Sequence, residues 1–340
     1  MAKPTYKKRC KVSELNDQGT KLLTLLADGE FHSGEVIGQQ LGVSRTSVNN
    51  YIKALREIGI DIYNVTGRGY RCVEPIELLN KMVIQSQSNH ANVKVDQILD
   101  STNQWLIDNI NNIESGQVCI AEYQLAGRGR RGRKWVSPFA SHLYFSYYNA
   151  FNVSLDQLSG VSLLVGLVCV NALEKLSVEG LKLKWPNDIY YQNKKLAGIL
   201  IETAPSTRDQ TKVIIGIGIN VKMPPDQAKL IDQPWIDLNS VTTGKIDRNQ
   251  LSALLIKELD TLLPKFEKEG LSPFIDQWFK YDNFLNQPVS LIIGEQIEPG
   301  ICKGINQHGA LLLEQNGKII PFIGGEISLR ASKQPLLHSF

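Results

Sequence analysis

Between residues 19 and 73 the hydrophobic period switches from helical to alternating, and the switch limits what this segment can fold into. Leu22, Leu23, Leu25 and Leu26 share one helical face, which Asp28-Gly29 ends. Ser33 is placed to cap a second helix through Val36 and Ile37 to Leu41, closed by Gly42. Ser44 is placed to cap a third, with Val48, Tyr51, Ile52, Leu55 and Ile58 at helical spacing. Ile62–Val65 and Tyr70–Val73 then flank the turn Thr66-Gly67-Arg68-Gly69, which predicts a hairpin.

Three short helices and a hairpin follow the winged helix-turn-helix plan. Such folds lay the third helix in the DNA major groove with its first residues at base edges. Those residues here are Arg45, Thr46, Ser47, Asn49 and Asn50, with Lys53 one turn on. Arg68 at the hairpin tip is placed to reach a phosphate or the minor groove. A small helical domain that binds protein would also carry a polar face. The agreement of capped turn, polar third helix and basic wing favours DNA.

The rest of the chain predicts an α+β protein. Glu74–Asn89 reads as a connecting helix running into a polar stretch around residues 86–91. Strand-like runs then alternate with helical ones: Val93–Ile98, Val118–Tyr123, His142–Tyr148, Leu181–Lys184, Ile189–Tyr191, Gly198–Glu202 and Lys212–Asn220 against Asn103–Ile110, Leu158–Leu176 and Asp247–Glu269. After Pro288 come short strands, Val289–Ile293, Gly300–Ile305, Ala310–Glu314, Lys318–Phe322 and Glu326–Arg330, as in a small β-barrel. The expected plan is a winged helix over 19–75, a linker over 76–92, a mixed catalytic domain over 93–283 and an SH3-like barrel over 284–331. Residues 1–18 show no periodicity and read as a loose extension.

A net charge of +3 means that any basic surface must be local. The five cysteines are dispersed and form no CxxC pair, which argues against a disulfide framework or zinc site and for reduced thiols. The most apolar run, Val161–Val170, reads as a buried helix rather than a membrane span. With a polar, basic start to the chain, the expectation is a soluble cytoplasmic protein.

Gly127-Arg128-Gly129-Arg130-Arg131-Gly132-Arg133-Lys134-Trp135 directly follows a strand. Its glycines permit tight turns and its cations suit a polyphosphate. It lacks the GK[ST] of a Walker loop, and it lies mid-domain, unlike a low-complexity RNA-binding tract. In Lys184-Trp185-Pro186-Asn187-Asp188, lysine suits phosphate, while Asn and Asp suit Mg²⁺ or ribose hydroxyls; the same residues could form a plain turn. Lys195 precedes a small-residue strand. Gly216-Ile217-Gly218-Ile219-Asn220 marks close approach by a ligand or by other protein atoms. Asp100-Ser101-Thr102-Asn103 can grip a polar heterocycle or cap a helix. No Ser-His-Asp set, Cys-His pair or metal cage is visible, so positioning and electrostatics fit better than covalent catalysis.

The segments DSTNQ, AEYQLAGRGRRGRKW, KWPNDIYYQNKKLAGILIE and GIGIN, in this order behind a winged helix, resemble the bifunctional biotin–protein ligases that double as biotin-operon repressors. The resemblance spans about residues 19–330. It implies ATP-dependent activation of biotin to biotinyl-5′-AMP and transfer to a lysine of the biotin carboxyl carrier protein of acetyl-CoA carboxylase. It places Ser101, Thr102, Asn103 and Gln124 on the biotin ring head, and Arg128, Gly129 and Arg130 in a loop closing over the intermediate. Lys195 would neutralise the biotin carboxylate, and Arg128 and Lys184 would assist catalysis. Arg130, Arg133, Trp135, Asn187, Asp188, Asn220 and Trp235 would hold the nucleotide, with Trp235 stacked on adenine and Asp188 on Mg²⁺. It further implies an adenylate-bound homodimer, formed through the central sheet, that represses the operon at an operator with two half-sites. Two other functions share many of these features: a ligand-sensing repressor without catalysis, and a lipoate ligase. The intact lysines oppose the first, and the polar STN…Q set opposes the second.

Overall fold

The computed structural model describes residues 17–206, 209–323 and 327–331. The extension over 1–18 therefore lies outside the described residues except for Asp17 and Gln18, as does Glu326 of the last expected strand. The chain divides into two compact units, the first holding the chain up to Leu79 and the second nearly all of the rest.

In the first unit α1 (Asp17–Leu26), α2 (Gly34–Leu41) and α3 (Arg45–Glu57) precede the antiparallel hairpin of β1 (Ile62–Val65) and β2 (Gly69–Cys72). Ser33 accepts from the Val36 N–H and Ser44 from the Ser47 N–H, each at 3.1 Å. Each cap satisfies an orphan donor, at a cost of about 1 kcal/mol if replaced by alanine. Gly42 ends α2 at φ +64°, a conformation that disfavours a β-carbon. Leu22, Leu26, Ile37, Val48 and Ile52 fill the core.

The second unit opens with α4 (Lys81–Ser88), shorter than the helix expected over 74–89. Pro75 disfavours a helical residue before it, and Asn80 caps the helix by accepting from the Met82 N–H. There follow β3 (Val93–Leu99), α5 (Thr102–Asp108), β4 (Val118–Gln124), β5 (His142–Phe151), α6 (Val161–Glu174), β6 (Leu181–Lys184), β7 (Asp188–Tyr191), β8 (Lys194–Thr203), β9 (Thr211–Asn220), α7 (Pro225–Ala228), α8 (Arg248–Glu269) and α9 (Ile275–Tyr281). The stretch 76–92, expected as a linker, thus holds a helix that packs on α8 and β3.

The seven strands form one sheet in the order β3-β4-β5-β9-β8-β7-β6, parallel only between β3 and β4. Helix α5 packs on β4, β5 and β9, whereas α6 packs on β6, β7 and β8 and α8 on β5. Leu155–Glu174 reaches 20 residues at a mean hydropathy of 1.5, the length of a membrane span. Its helical part is apolar all round because it is enclosed all round: Leu163, Leu164, Leu167, Val168 and Leu173 are buried. Beyond α9, β10 (Pro288–Ile293), β11 (Gln296–Ile305), β12 (Leu311–Gln315), β13 (Lys318–Phe322) and β14 (Ile327–Ala331) make the small antiparallel β-barrel segment, ordered β13-β12-β11-β10-β14.

Candidate active site

Residues directly opposite one another in a sheet share a face. In this sheet Tyr144 stands opposite Gly218, Gly218 opposite Gly198, Gly198 opposite Asp188, and Asp188 opposite Lys184. One row across five strands therefore carries two glycines, a carboxylate and a lysine. Ser146 and Gly216 lie one step along the same face, and His142 and Asn220 one step the other way. This face forms the floor of a cavity of 360 Å³. Every residue singled out above for biotin, nucleotide or magnesium lines it.

The glycines make room for side chains of the protein itself. A β-carbon on Gly216 would stand 2.5 Å from Asn103 Oδ1, and one on Gly218 2.6 Å from Trp135 Cε2. One on Gly198 would lie 3.1 Å from Trp135 Cζ3. The alternating glycines thus seat Asn103 and Trp135, and the indole becomes an apolar wall. The Trp135 Nε1–H is buried without a hydrogen-bond partner among the described residues. A ligand acceptor placed there would relieve the cost of that orphan donor.

At one end of the cavity Ser101 caps α5, and the next two residues are fixed by hydrogen bonds. The Thr102 N–H donates to Gln124 Oε1 (3.0 Å), and Gln124 Nε2 donates to Ser137 Oγ (3.3 Å). Ser146 Oγ donates to Asn103 Oδ1, and Asn103 Nδ2 donates to Glu202 (2.8 Å). Ser101, Thr102 and Asn103 are all buried. A small polar ring system would meet a rigid set of donors and acceptors here.

At the other end Lys195 Nζ lies 2.7 Å from Asp188 Oδ1 and 5.5 Å from the Trp135 ring centroid. The Lys195 backbone is strapped to the next loop: its N–H donates to Pro234 O (3.0 Å), and the Ile236 N–H donates to Lys195 O (2.9 Å). That strap places Trp235 beside the lysine, and Asn220 secures it by donating to Ile236 O (3.1 Å). Lys184 is buried and donates to the Tyr190 hydroxyl (2.9 Å). Burial, then the positive charge of Arg330, pushes its ammonium down to about 8.

The glycine–arginine segment folds back on itself. The Gly129 N–H donates to Arg133 O (2.8 Å) and the Trp135 N–H to Gly127 O (2.9 Å). Arg128 pairs with Glu202 (3.0 Å) and donates to Gln104 Oε1 (2.7 Å). Arg130 donates to Asn187 Oδ1 (2.9 Å), and burial lowers its pKa, opposed by Asp188. Several partners of these residues carry no mark in the sequence. Ser146 and Glu202 looked like ordinary strand residues, and only cross-strand register brings them to the site. Arg330 comes from β14 of the barrel segment and lines the cavity across a long sequence gap.

In the first unit Thr46, Asn50 and Lys53 are exposed on α3. Arg45 pairs with Glu35 (3.1 Å), and Arg68 lies 4.0 Å over the Phe31 ring. Ser47 is half-buried against the Ser44 hydroxyl (3.0 Å), and Asn49 accepts from the Tyr70 hydroxyl (2.6 Å). Those last two side chains help to hold the fold.

Residues 95–220 match the biotin/lipoate A/B protein ligase family, 20–71 an HTH domain, and 284–330 the biotin protein ligase C-terminal domain. The chain is 48% identical to the bifunctional ligase/repressor BirA of Escherichia coli (strain K12) over 314 residues, covering 92% of this chain and 98% of that protein. It belongs to the biotin–protein ligase family. The bifunctional ligase/repressor BirA of Salmonella typhimurium is 49% identical over 312 residues, covering 92% of this chain and 97% of that one. Among solved structures, the biotin protein ligase of Aquifex aeolicus in complex with biotin and ATP superposes with a TM-score of 0.61 at 33% identity, covering 71% of this chain and 99% of that chain. The chain is thus a biotin–protein ligase with an N-terminal helix-turn-helix, related over nearly its whole length to bifunctional repressors.

Proposed function

We propose that this ligase joins biotin to ATP in the sheet-floored cavity and passes the biotinyl group to a lysine of a biotin carboxyl carrier protein. A biotin carboxylate oxygen attacks the α-phosphorus of ATP, the bond to pyrophosphate breaks, and biotinyl-5′-AMP forms. The carrier lysine's amine then attacks the anhydride carbonyl, AMP leaves, and the amine loses a proton as the amide forms. The observation that carries this reading is the shared floor: a polar ring pocket, Lys195 and a cluster of phosphate-suited cations face one cavity.

Ser101, Thr102, Asn103 and Gln124 suit the ring head of biotin, and the Trp135 indole, a wall of the same cavity, suits the nucleotide. Lys195 suits the carboxylate and then the anhydride oxygen, where a fixed positive charge stabilises what develops in the transition state. Lys184, Arg130 and Arg133 suit the phosphates, Asn187 and Asn220 further polar groups of the nucleotide, and Trp235 the adenine. Asp188 is a single carboxylate beside these cations. That fits a Mg²⁺ arriving on ATP phosphates and keeping most of its waters, which needs one or two protein carboxylates. Such an ion would neutralise phosphate charge. Gly129 and Arg130 lie in the loop that would cover the intermediate, which matters because water destroys an acyl-adenylate.

The same chain would act as a regulator in the cytoplasm. The adenylate-bound chain would form a homodimer along an edge of the central sheet, whose outer strands are β3 and β6. It would repress the biotin operon by laying α3 in the operator's major groove. The adenylate promotes DNA binding only as far as it favours that dimer. The division into modules over 19–75, 93–283 and 284–331 belongs to the same proposal.

The deciding experiment is exchange of pyrophosphate into ATP by the purified protein, with lipoate as control. Exchange with biotin alone is the expected result. Exchange with lipoate would overturn the substrate assignment, and none with either acid would leave a ligand-sensing repressor. Deleting residues 1–79 should abolish operator binding and leave the exchange reaction, and DNA binding by the remainder would sink the domain assignment.

A further inference from the structure

Glu202 stands where the ring pocket meets the basic loop. It sits near the end of β8, on the floor face, opposite Ile214. Its Oε2 accepts from Asn103 Nδ2 at 2.8 Å, and both carboxylate oxygens accept from Arg128 Nη2, at 3.0 and 3.1 Å. Arg128 Nη1 reaches Gln104 Oε1 at 2.7 Å. One carboxylate and one amide, from β8 and α5, therefore hold a single guanidinium of the loop.

A carboxylate can only accept, so it dictates which way its neighbours face. With Glu202 accepting from Nδ2, the Asn103 amide must turn Oδ1 toward Ser146, as it does. The same carboxylate neutralises Arg128. Arg130 of the same loop bonds instead to the amide of Asn187, next to Asp188.

We propose that Glu202 is a positioning residue of the ligase: its carboxylate orients Asn103 in the ring pocket and clamps Arg128, so that the loop stays closed over the acyl-adenylate. Arg128 then acts as the loop's strut rather than as a group on the reacting atoms. The proposal rests on the ligase reading above and adds the element that joins ring recognition to loop closure. A closed lid keeps the intermediate from water, and lid opening can set the rate at which it leaves.

The test uses the full chain with Glu202→Gln, Arg128→Gln and the double variant, loaded with biotin and ATP. It follows release of biotinyl-5′-AMP and biotin labelling of lysines on an added bystander protein. Thermal melting checks the fold of each variant. Each single variant should release the adenylate about tenfold faster, with a smaller fall in the single-turnover rate of its formation, and the double variant should exceed either by less than about twofold, because partners in one ion pair are not additive. Release at the wild-type rate, or effects that multiply in the double variant, would overturn the clamp. A uniform loss of formation rate and melting temperature would also overturn it, in favour of a purely structural ion pair. If the unsubstituted chain makes no adenylate, the ligase reading itself fails, an outcome distinct from all of these.

Discussion

Two adjacent rows of the central sheet, one residue apart in sequence, serve opposite purposes. One row runs Leu143–Ile219–Ala197–Ile189–Leu183, every member buried. The other runs Tyr144–Gly218–Gly198–Asp188–Lys184 and floors the cavity. The first row excludes water and holds the strands. The second holds charge and the room that seats the Trp135 indole, at positions that the first makes rigid. A strand's period of two lets one segment do both, so a shift of one residue would exchange core for site. Function here is carried by a face, on a scaffold whose stability comes from the other face.

Four substitutions or conditions should separate the two rows. Lys195→Ala, on the floor side, should slow adenylate formation by roughly 10³-fold in single-turnover assays while the melting temperature stays close to that of the parent; near-normal turnover would remove the lysine from the chemistry. Gly218→Val should follow, with a loss on the order of 10²-fold in biotin activation, because the added atoms take the seat of Trp135 and a displacement of about 1 Å costs that much. Indole fluorescence would report the displaced ring, and an unchanged spectrum with full activity would show that the trough has slack.

On the core row, Ile219→Ala should cost about 2–5 kcal/mol in denaturant unfolding, with turnover per folded molecule within about threefold of the parent. A large turnover defect at full stability would break the division between the faces. The smallest effect concerns pH. Burial holds Lys184 at about 8, so its ammonium is present below that pH and lost above it. ATP affinity should therefore fall about tenfold per pH unit above 8, and binding should take up a proton there. Lys184→Met should flatten the profile, and an unchanged slope would assign the titration elsewhere.

The winged helix was legible almost residue by residue, because serine caps, a closing glycine and a hairpin turn are local signals. The helix is shorter than its apolar spacing over 74–89 predicts, because Pro75 and the cap at Asn80 delay its start to Lys81. At Gly216 and Gly218 the sequence left two meanings open, ligand approach or protein packing. The side chains of Asn103 and Trp135 fill those places. Glu202 and Ser146 carry no local mark at all. The family resemblance pointed to the fifteen or so residues around the cavity, but not to which of them hold one another.

The sequence by itself determined the elements, the order of the modules and the residue types available for the chemistry, because capping, periodicity and turn formation act over a few residues. The tertiary structure alone decided that β9 inserts between β5 and β8. It also decided that Arg330 of the barrel segment bears on Lys184, and that Glu202 joins Asn103 to Arg128. These pairings depend on strand order and register, which arise from burying one whole face of the sheet at once, and no short stretch of chain encodes that.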